Sequence, residues 1–493
     1  MSDPARTSWP SLLLLPILAA AGCPSGPVGE PEVIAYTTLD QRIDTGSEAD
    51  ALSPRLCVSG TSAYVVWEET REGGRSQVLF AAGRSGGVSW EEPIQLSTNP
   101  TGEAIAAKPQ IACVGSSIYV VYEDDRDSEI GHRNVYIRYS DDGGRTWAAE
   151  TQLTGDPDGD WDALEPQVVA FQDPNGIDTR IYVTWYDNRS GAYDVYVQSG
   201  VNGYNWLAEE VRVDRDAAGS AYSGHPQIAA DGVGGVYIVW EDSRDGSNAV
   251  YTNSSIDHGV NWRANDTRLD TGTAAGTSDA FGLTLAVDRE RTVPAVYVAW
   301  HDDRNGPNDI YLNRSLDAGA TWDSEPTRID NDAAGSANSF YPVVNAVDDR
   351  VLVAWHDDRN LGFDVYLRSS DDAGASWLSE TRVDSDVAGS AHSLDARISR
   401  AGDRVAIGWV DYRTPLELGQ QGQPDVYYKL SDDEGYIFPQ EESRVDDDPQ
   451  STAISDDLQM VLSGPLVYMV WVDYRMGNAD LWFRAMPSTL SAD

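Results

Sequence analysis

Trp240-Glu241-Asp242-Ser243-Arg244 is one of eight copies of an aromatic-x-acid-x-Arg motif that recurs along the whole chain. Successive copies lie 54 to 63 residues apart. The eight motifs begin at Trp67, Tyr122, Trp185, Trp240, Trp300, Trp355, Trp409 and Trp471. A regular period of this length indicates one supersecondary unit repeated eight times, with neighbouring units burying a common core.

Each repeat carries four strand-like runs. In the fourth repeat these runs are residues 225–230, 235–240, 249–254 and 267–270. Four short strands per repeat are typical of one blade of a β-propeller. The sequence therefore predicts an all-β chain with a single propeller of four-stranded blades. We expect eight blades, and seven is the alternative if one repeat is an appendage.

The two ends of the chain complement each other. The last repeat stops after its third strand, at residues 479–485. Near the N-terminus, Gln41-Arg42-Ile43-Asp44 matches the fourth-strand motif seen at Arg328-Ile329-Asp330. We therefore expect the N-terminal strand to complete the last blade and to close the ring without a covalent bond.

A second motif lies between the third and fourth strands. Residues 140–147 (SDDGGRTW) and 315–322 (SLDAGATW) fit the pattern Ser-x-Asp-x-Gly-x-Thr-Trp, and residues 255–262 and 370–377 differ from it once each. Residues 83–90, 199–206 and 431–438 are degenerate forms. Asp caps such a turn, Gly permits its backbone and Trp packs beneath the blade. Here the chain resembles the sialidase-like Asp-box (BNR-repeat) β-propeller superfamily, in which these boxes are structural.

The net charge of the chain limits the kinds of partner that it can bind. The 493 residues include 80 acidic and 35 basic side chains, which gives a formal net charge of −45. Such a surface repels phosphate backbones, so we expect no nucleic-acid partner. Cations and basic or neutral glycans stay compatible with it, although the acid can equally serve solubility alone. Because a closed propeller leaves few strand edges to pair, we expect a monomer.

The first residues are typical of an export signal. Arg6 precedes an apolar run at residues 12–18 that is too short to span a bilayer. The small residues 19–22 then lead to Cys23, and this arrangement resembles the bacterial lipoprotein signal. We expect a signal peptide at residues 1–22, lipidation of Cys23, a flexible tether at residues 23–34 and the propeller at residues 35–493. The resemblance implies a lipid anchor in the cell envelope, at the outer membrane; ordinary cleavage with an unmodified Cys23 is the alternative.

Two further cysteines remain. Cys57 and Cys113 lie one residue out of step in the first strands of repeats one and two. Successive strand residues point to opposite faces, so the two thiols can face each other across neighbouring blades. An oxidising compartment would allow a disulfide; a pair of unbridged core cysteines is the alternative.

Chain direction separates the loops between two faces. The loops from second to third and from fourth to first strands share one face, and the resemblance implies a substrate site there, over the central channel. The repeated Trp, Asp and Arg are better explained as scaffold, because a feature present eight times does not mark one site.

At the start of each first strand, however, one position varies. It reads Ser53, Lys108, Glu165, His225, Phe281, Tyr341, Asp395 and Asp457. The next position but one reads Arg55, Gln110, Gln167, Gln227, Leu283, Val343, Arg397 and Gln459.

This mixed ring is either a polar binding site or a water-filled rim. The ligand-binding candidates are Arg55, Lys108, Glu165, His225, Tyr341, Asp395, Arg397 and Asp457. Longer loops at residues 127–133 and 414–424 enlarge the same face. Trp161 can stack on a sugar or pack over its own loop.

Acidic pairs such as Asp330/Asp332 and Asp384/Asp386 can bind Ca²⁺ or form solvated turns. Apart from these, we expect no cofactor or metal.

Two functions fit these features. The first is a surface-anchored, non-catalytic binding or scaffold propeller for a glycan or a protein partner. The alternative is an exo-sialidase-like glycoside hydrolase, and the resemblance would then imply Tyr341, Glu165 and Asp395 as catalytic residues, with Arg55 and Arg397 binding a substrate carboxylate. The family's Arg-Ile-Pro motif is absent and sialidase propellers have six blades, so no catalytic residue is assigned.

Overall fold

The computed structural model describes residues 13–16, 33–37, 39–44, 46, 48–71, 75–98, 104–156, 158–413, 423–439, 441–450 and 453–488. Cys23, most of the signal and tether segments, and residues 414–422 of the long seventh-repeat loop lie outside these ranges. All regular structure in the described residues is β-strand. None of those residues form a helix with the length and apolar character needed to cross a membrane.

The chain is an eight-bladed propeller of antiparallel, four-stranded blades. The first strands are Asp50–Ser59, Ala106–Val114, Ala163–Gln172, Ser223–Ala230, Ala280–Asp288, Ser339–Val347, Ser393–Ala401 and Ser455–Ser463. The second strands are Ser62–Arg71, Ser117–Asp124, Thr179–Asp187, Val236–Asp242, Ala295–Asp302, Arg350–Asp357, Arg404–Asp411 and Leu466–Asp473. First strands contact the first strands of both neighbouring blades and are only half-buried, because they surround the central channel.

The outer half of each blade is less regular. The third strands are Arg75–Arg84, Asn134–Ser140, Asp194–Val201, Ala249–Ser255, Asp309–Ser315, Asp364–Ser370, Asp425–Ser431 and Asp480–Pro487. The fourth strands have two residues each: Ile94–Gln95, Thr151–Gln152, Val211–Arg212, Thr267–Arg268, Thr327–Arg328, Thr381–Arg382, Ser443–Arg444 and, in blade 8, Gln41–Arg42. Short strands Ser89–Trp90 and Asn205–Trp206 add to blades 1 and 3. Leu13–Pro16 pairs with Val33–Tyr36 in a separate two-stranded sheet.

The predicted ring closure is confirmed. Gln41 and Arg42 pair with Phe483 and Trp482 of the last strand, so blade 8 combines both ends of the chain. The Arg42 guanidinium lies 2.5 Å from Asp480, and Asp40 lies 2.9 Å from Arg475. A hydrogen-bonded strand and buried ion pairs therefore join residues more than 400 positions apart.

The aromatic-x-acid-x-Arg motif has a scaffold role that is seen clearly in blade 4. Trp240 is fully buried, and its indole N–H donates to Asp242 over 2.8 Å. Arg244 lies 2.5 Å from the same carboxylate, and its guanidinium stacks 4.2 Å from the ring centre of Tyr251 in the third strand. The motif thus ties the second strand to the third, which explains its repetition without reference to a ligand.

Neighbouring blades are linked by the side chain at one equivalent position of the third strand. Asn253 donates to the carbonyl of Val213, directly after the fourth strand of the preceding blade, over 3.3 Å. The same link recurs from Arg138, Asn313, Arg368 and Lys429 to Leu96, Leu269, Ile329 and Val383. Between blades 1 and 2, a disulfide also joins Cys57 and Cys113.

The turns between third and fourth strands have a common hydrogen-bond pattern. The amide N–H of Gly144 donates to the Ser140 hydroxyl, and the Thr146 N–H donates to Asp142 over 2.8 Å. The Trp147 indole donates to the carbonyl of Gly144. These bonds are local to the turn and use its polar side chains, so they close the blade edge rather than form a pocket.

Candidate functional site

A β-bulge interrupts every first strand at the channel mouth. The pairing of first and second strands shifts between Leu164 and Gln167, and the bulged residue Glu165 has a φ of 49°. Positive φ recurs at Ser53, Lys108, His225, Gly282, Tyr341, Asp395 and Asp457. This conformation costs a residue other than glycine about 1 kcal/mol. A bulge changes the direction in which a side chain points. The strained backbone therefore sets the directions of the side chains in this ring.

The bulges correct one part of the sequence alignment. In blade 5 the sequence comparison placed Phe281 and Leu283 at the two variable positions, but the register places Gly282 and Thr284 there. Glycine adopts the left-handed conformation without the steric cost of a side chain. Phe281 therefore precedes the bulge, where its side chain is 37% exposed.

The residue between Trp and Asp of the repeated motif holds the bulge of the next blade. The N–H of Glu165 donates to Glu123 over 3.2 Å, and the N–H of Gly282 donates to Glu241 over 3.2 Å. The N–H of Tyr341 likewise faces Nδ1 of His301 at 3.4 Å. Because the bulge leaves the strand ladder locally unpaired, these side chains replace its missing acceptors.

The bulges of blades 3 to 6 enclose a pocket of about 750 Å³ at the mouth. Its polar wall includes Glu165, His225 and Glu241, and its aromatic wall includes Phe281, His301 and Tyr341. Pockets of this size are typical of small-ligand sites. Of the eight ligand-binding candidates, this pocket collects Glu165, His225 and Tyr341.

Glu165 and His225 form an ion pair across two blades. Nδ1 of His225 lies 2.7 Å from Oε2 of Glu165. The hydrogen bond to His225 lowers the pKa of Glu165, and the same bond raises the pKa of His225. The pair therefore favours the ionised form of Glu165 and the protonated form of His225 at the edge of the pocket.

The pKa of Glu241 is shifted in the opposite direction to that of Glu165. Its side chain is buried, and burial raises the pKa of its carboxyl, with a smaller contribution from the Glu165 charge. Burial thus favours the protonated form of Glu241, whereas the hydrogen bond from His225 favours the ionised form of Glu165. Two carboxyl groups with pKa values moved in opposite directions are suited to acid–base chemistry.

The aromatic wall is held by histidines. The ring centre of His301 lies 5.4 Å from that of Tyr341 and 6.2 Å from that of Phe281. Burial lowers the pKa of His301 to about 4, so its imidazole is neutral and Nδ1 accepts the Tyr341 N–H. Tyr341 itself is 59% exposed and stands at the pocket entrance.

The other ring residues lie outside this pocket. Arg55 is 3.9 Å from Asp457, and burial lowers the pKa of Arg55, with a further contribution from Arg397. Arg397 donates to the backbone carbonyls of Asp395 and Ala396. The two arginines thus form a separate group on blades 7, 8 and 1. Lys108 lies next to the pocket on blade 2, where its charge acts on Glu165 and His225.

Trp161 and the longer loop of blade 2 have structural roles in this arrangement. The guanidinium of Arg189 lies 5.3 Å from the Trp161 ring, which is half-buried against it. In the loop at residues 127–133, Arg133 forms an ion pair with the buried Glu123. The loop therefore reaches the mouth indirectly, through the residue that holds the Glu165 bulge.

The acidic loops considered for Ca²⁺ each surround an arginine. Asp309, Asp330 and Asp332 lie close enough together to share an ion, and Arg328 forms ion pairs with all three. The same arrangement recurs around Arg382, with Asp364, Asp384 and Asp386. The guanidinium already supplies the positive charge that these carboxylates require.

Sequence reasoning missed Glu241, His301 and Glu123. All three occupy the variable position inside a motif that we treated as scaffold as a whole. That position reads Glu68, Glu123, Tyr186, Glu241, His301, His356, Val410 and Val472. Its variation between charged, aromatic and aliphatic residues is the signal that would have identified it.

No protein-family model and no curated sequence matches the chain. Among solved structures it is similar to an α-L-arabinofuranosidase from Fusarium graminearum, with 14% identity, a TM-score of 0.40, and coverage of 65% of this chain and 93% of the other. It is similar to an intramolecular trans-sialidase from Ruminococcus gnavus, with 12% identity, a TM-score of 0.39, and coverage of 64% and 92%. It is also similar to the polysaccharide lyase Uly1, with 10% identity, a TM-score of 0.47, and coverage of 88% and 90%.

Proposed function

We propose that the chain is a glycan-active propeller that hydrolyses a glycosidic bond in the pocket of blades 3 to 6. The observation that carries the proposal is the pair of carboxyl groups in one pocket, Glu165 with a lowered pKa beside His225 and Glu241 buried with a raised pKa. Glycosidases commonly use two carboxyl groups in different protonation states at the cleaved bond.

Each residue has a defined part in the reaction. Glu241 donates its proton to the glycosidic oxygen as the bond from C1 to that oxygen breaks. Glu165 stabilises the positive charge that develops at C1 and takes the proton of the water whose hydroxyl adds to C1. Glu165 then releases that proton to solvent water, and Glu241 is reprotonated from water. The hydrogen bond from His225 favours the return of Glu165 to its ionised form.

This assignment differs from the sialidase-like set inferred from the sequence. Tyr341 and Glu165 line one pocket, but the hydrogen-bond partner of Glu165 is His225. Arg55 and Arg397 lie with Asp457, apart from that pocket. We therefore propose a carboxyl pair rather than a tyrosine nucleophile with an arginine clamp.

Hydrolysis of a panel of chromogenic glycosides and polysaccharides tests the proposal. We expect the Glu241→Gln and Glu165→Gln variants each to lose at least about a hundredfold in kcat, the contribution of a positioned acid or base. Glu68→Gln is the matched control, because Glu68 occupies the same motif position in blade 1. Glycan binding with no turnover by the wild-type chain would favour the non-catalytic binding function instead.

A further inference from the structure

We infer that the pocket selects neutral glycans, stacking a sugar ring on Tyr341 and Phe281 and binding its hydroxyls through Glu165 and Glu241, and that it rejects glycans bearing carboxylate or sulfate groups. The inference rests on the proposed function, because it names the substrate class of the same pocket.

The aromatic wall offers a fixed stacking surface. Tyr341 and Phe281 are 59% and 37% exposed, although both rings contact the buried His301. The Tyr341 backbone is fixed by its bulge and by the bond from its N–H to His301. An exposed ring held in one orientation loses little conformational freedom on binding, and it suits the C–H face of a pyranose or furanose, whose opposite edges carry hydroxyls.

The acidic wall offers acceptors for those hydroxyls. His225 engages Oε2 of Glu165, and the Gly282 N–H engages Oε1 of Glu241. Each side chain therefore keeps a second oxygen for a ligand. The ionised form of Glu165 accepts hydrogen bonds from hydroxyl groups strongly, since the acceptor is charged, and a protonated Glu241 carboxyl can donate to a hydroxyl oxygen or accept through its carbonyl oxygen. Sugar hydroxyls at the edge of a stacked ring match these groups.

The charge around the pocket opposes an anionic sugar. A ligand carboxylate bound beside the Tyr341 ring would share a pocket of about 750 Å³ with Glu165, whose ionised form repels it. The formal charge of −45 on the whole chain adds a repulsive field over the mouth. The basic residues near the mouth do not offset this repulsion. His225 is paired with Glu165 over 2.7 Å, and Lys108 lies beside the pocket rather than in its lining. Arg55 faces Asp457, and Arg397 donates to backbone carbonyls.

Matched pairs of oligosaccharides that differ only at C6, hydroxymethyl in one and carboxylate in the other, test this inference directly. Thio-linked, non-hydrolysable glucose/glucuronate, galactose/galacturonate and mannose/mannuronate pairs would be titrated into the full chain by calorimetry. We expect at least one neutral member to bind, and its carboxylate partner to bind at least about tenfold more weakly at low salt. The gap should narrow at high salt, because ions screen charge repulsion.

Substitutions at Tyr341 test whether the ligand binds in this pocket. Tyr341→Ala should weaken the neutral ligand at least about tenfold, and Tyr341→Phe should retain it, because stacking needs the ring and not the hydroxyl. Tyr204→Ala is the matched control, since Tyr204 is 58% exposed in a turn of the opposite face.

Equal or tighter binding of the carboxylate members would overturn the inference, and so would a panel in which no neutral member binds. Binding of neutral thio-linked ligands, with no hydrolysis of the corresponding oxygen-linked oligosaccharides, would support the inference and contradict the proposed reaction. Hydrolysis confined to the oxygen-linked carboxylate series would do the reverse.

Discussion

Glu165 and His225 occupy the same bulge position in neighbouring blades, and Oε2 of one lies 2.7 Å from Nδ1 of the other. Both residues adopt the left-handed backbone conformation, with φ values of 49° and 50°. The ion pair therefore links two separately strained strand ends at the channel mouth. A contact between two such positions is set by the ring geometry, which fixes the distance between successive blades.

Replacing His225 should move the acid limb of the pH profile. Because the hydrogen bond from His225 is the largest cause that lowers the pKa of Glu165, His225→Gln should return that pKa toward its ordinary value. The acid limb of kcat/KM should then shift to higher pH, and a ¹³C NMR titration of the Glu165 carboxyl should show the same shift. His258→Gln, in a turn of the opposite face, should change neither; an unmoved Glu165 titration in His225→Gln would contradict the assignment.

Arg133 should act as a positioning residue for the pocket. It forms an ion pair with Glu123, whose side chain is 1% exposed and accepts the Glu165 N–H. Arg133→Met leaves Glu123 unpaired, and breaking a buried pair from one side costs about 3 kcal/mol of stability. We expect this loss in denaturant unfolding, together with a lower kcat.

The double variant Arg133→Met/Glu123→Gln separates the two effects. It removes the unpaired charge and should recover most of the stability. Arg133→Lys should recover part of the kcat, and the pH profile of Arg133→Met should shift because Glu165 is displaced. An unchanged pH profile would show that Arg133 only stabilises the fold.

The fold could be predicted because its signals are periodic. Eight aromatic-x-acid-x-Arg motifs imply eight blades, and the match of Arg42-Ile43-Asp44 to a fourth strand implies closure. Such features repeat the same local physics, so each copy supports the others.

The pocket could be predicted only in part, for the opposite reason. Glu165, His225 and Tyr341 stood out as departures from the repeat, but Glu241 and His301 lay inside a motif whose neighbours are scaffold. The link from one blade's motif to the next blade's bulge joins residues about 40 positions apart, and no local pattern specifies it. Phe281 was misaligned because the bulge position of blade 5 is occupied by Gly282. Apart from that glycine, nothing in the sequence marks the position of the bulge.

Ring closure should weaken as pH rises. Asp40 is buried against Asp447 and Arg475, and burial with a hydrogen bond from Asp447 raises the pKa of Asp40 to about 7. Its folded pKa exceeds the unfolded value, so the stability it contributes is complete below about pH 4 and is lost as pH rises through about 7. One such group changes the unfolding free energy by about 1.4 kcal/mol per pH unit in that window.

Denaturant unfolding between about pH 5 and about pH 8 measures this dependence. The pKa of Glu150, also raised to about 7 by burial, acts in the same direction. Asp40→Asn should flatten the slope, whereas Asp158→Asn, at an exposed loop position, should leave it unchanged. Stability that rises with pH across this range would contradict the role of Asp40.

Lipidation of Cys23 remains a prediction of the sequence. Metabolic labelling with a tagged fatty acid in a bacterial host should modify the wild-type chain and place it in the membrane fraction. Cys23→Ser should abolish both, since the thiol is the acylated group. Label retained by Cys23→Ser would place the lipid elsewhere, and unlabelled wild-type chain would support ordinary cleavage.

The disulfide between Cys57 and Cys113 should stabilise the seam between blades 1 and 2. It joins first strands 56 residues apart, and closing a loop of that length in the unfolded chain is worth about 4 kcal/mol on the chain-entropy model. The Cys57→Ala/Cys113→Ala variant should therefore unfold at lower denaturant concentration, and a reductant should lower the midpoint of the wild-type chain but not of the variant. Because the bridge lies at the seam of blades 1 and 2, whereas the pocket belongs to blades 3 to 6, glycan binding by the folded variant should be unchanged. A midpoint that is equal in oxidised and reduced wild-type protein would show that the strands of the two blades hold this seam without the covalent bond.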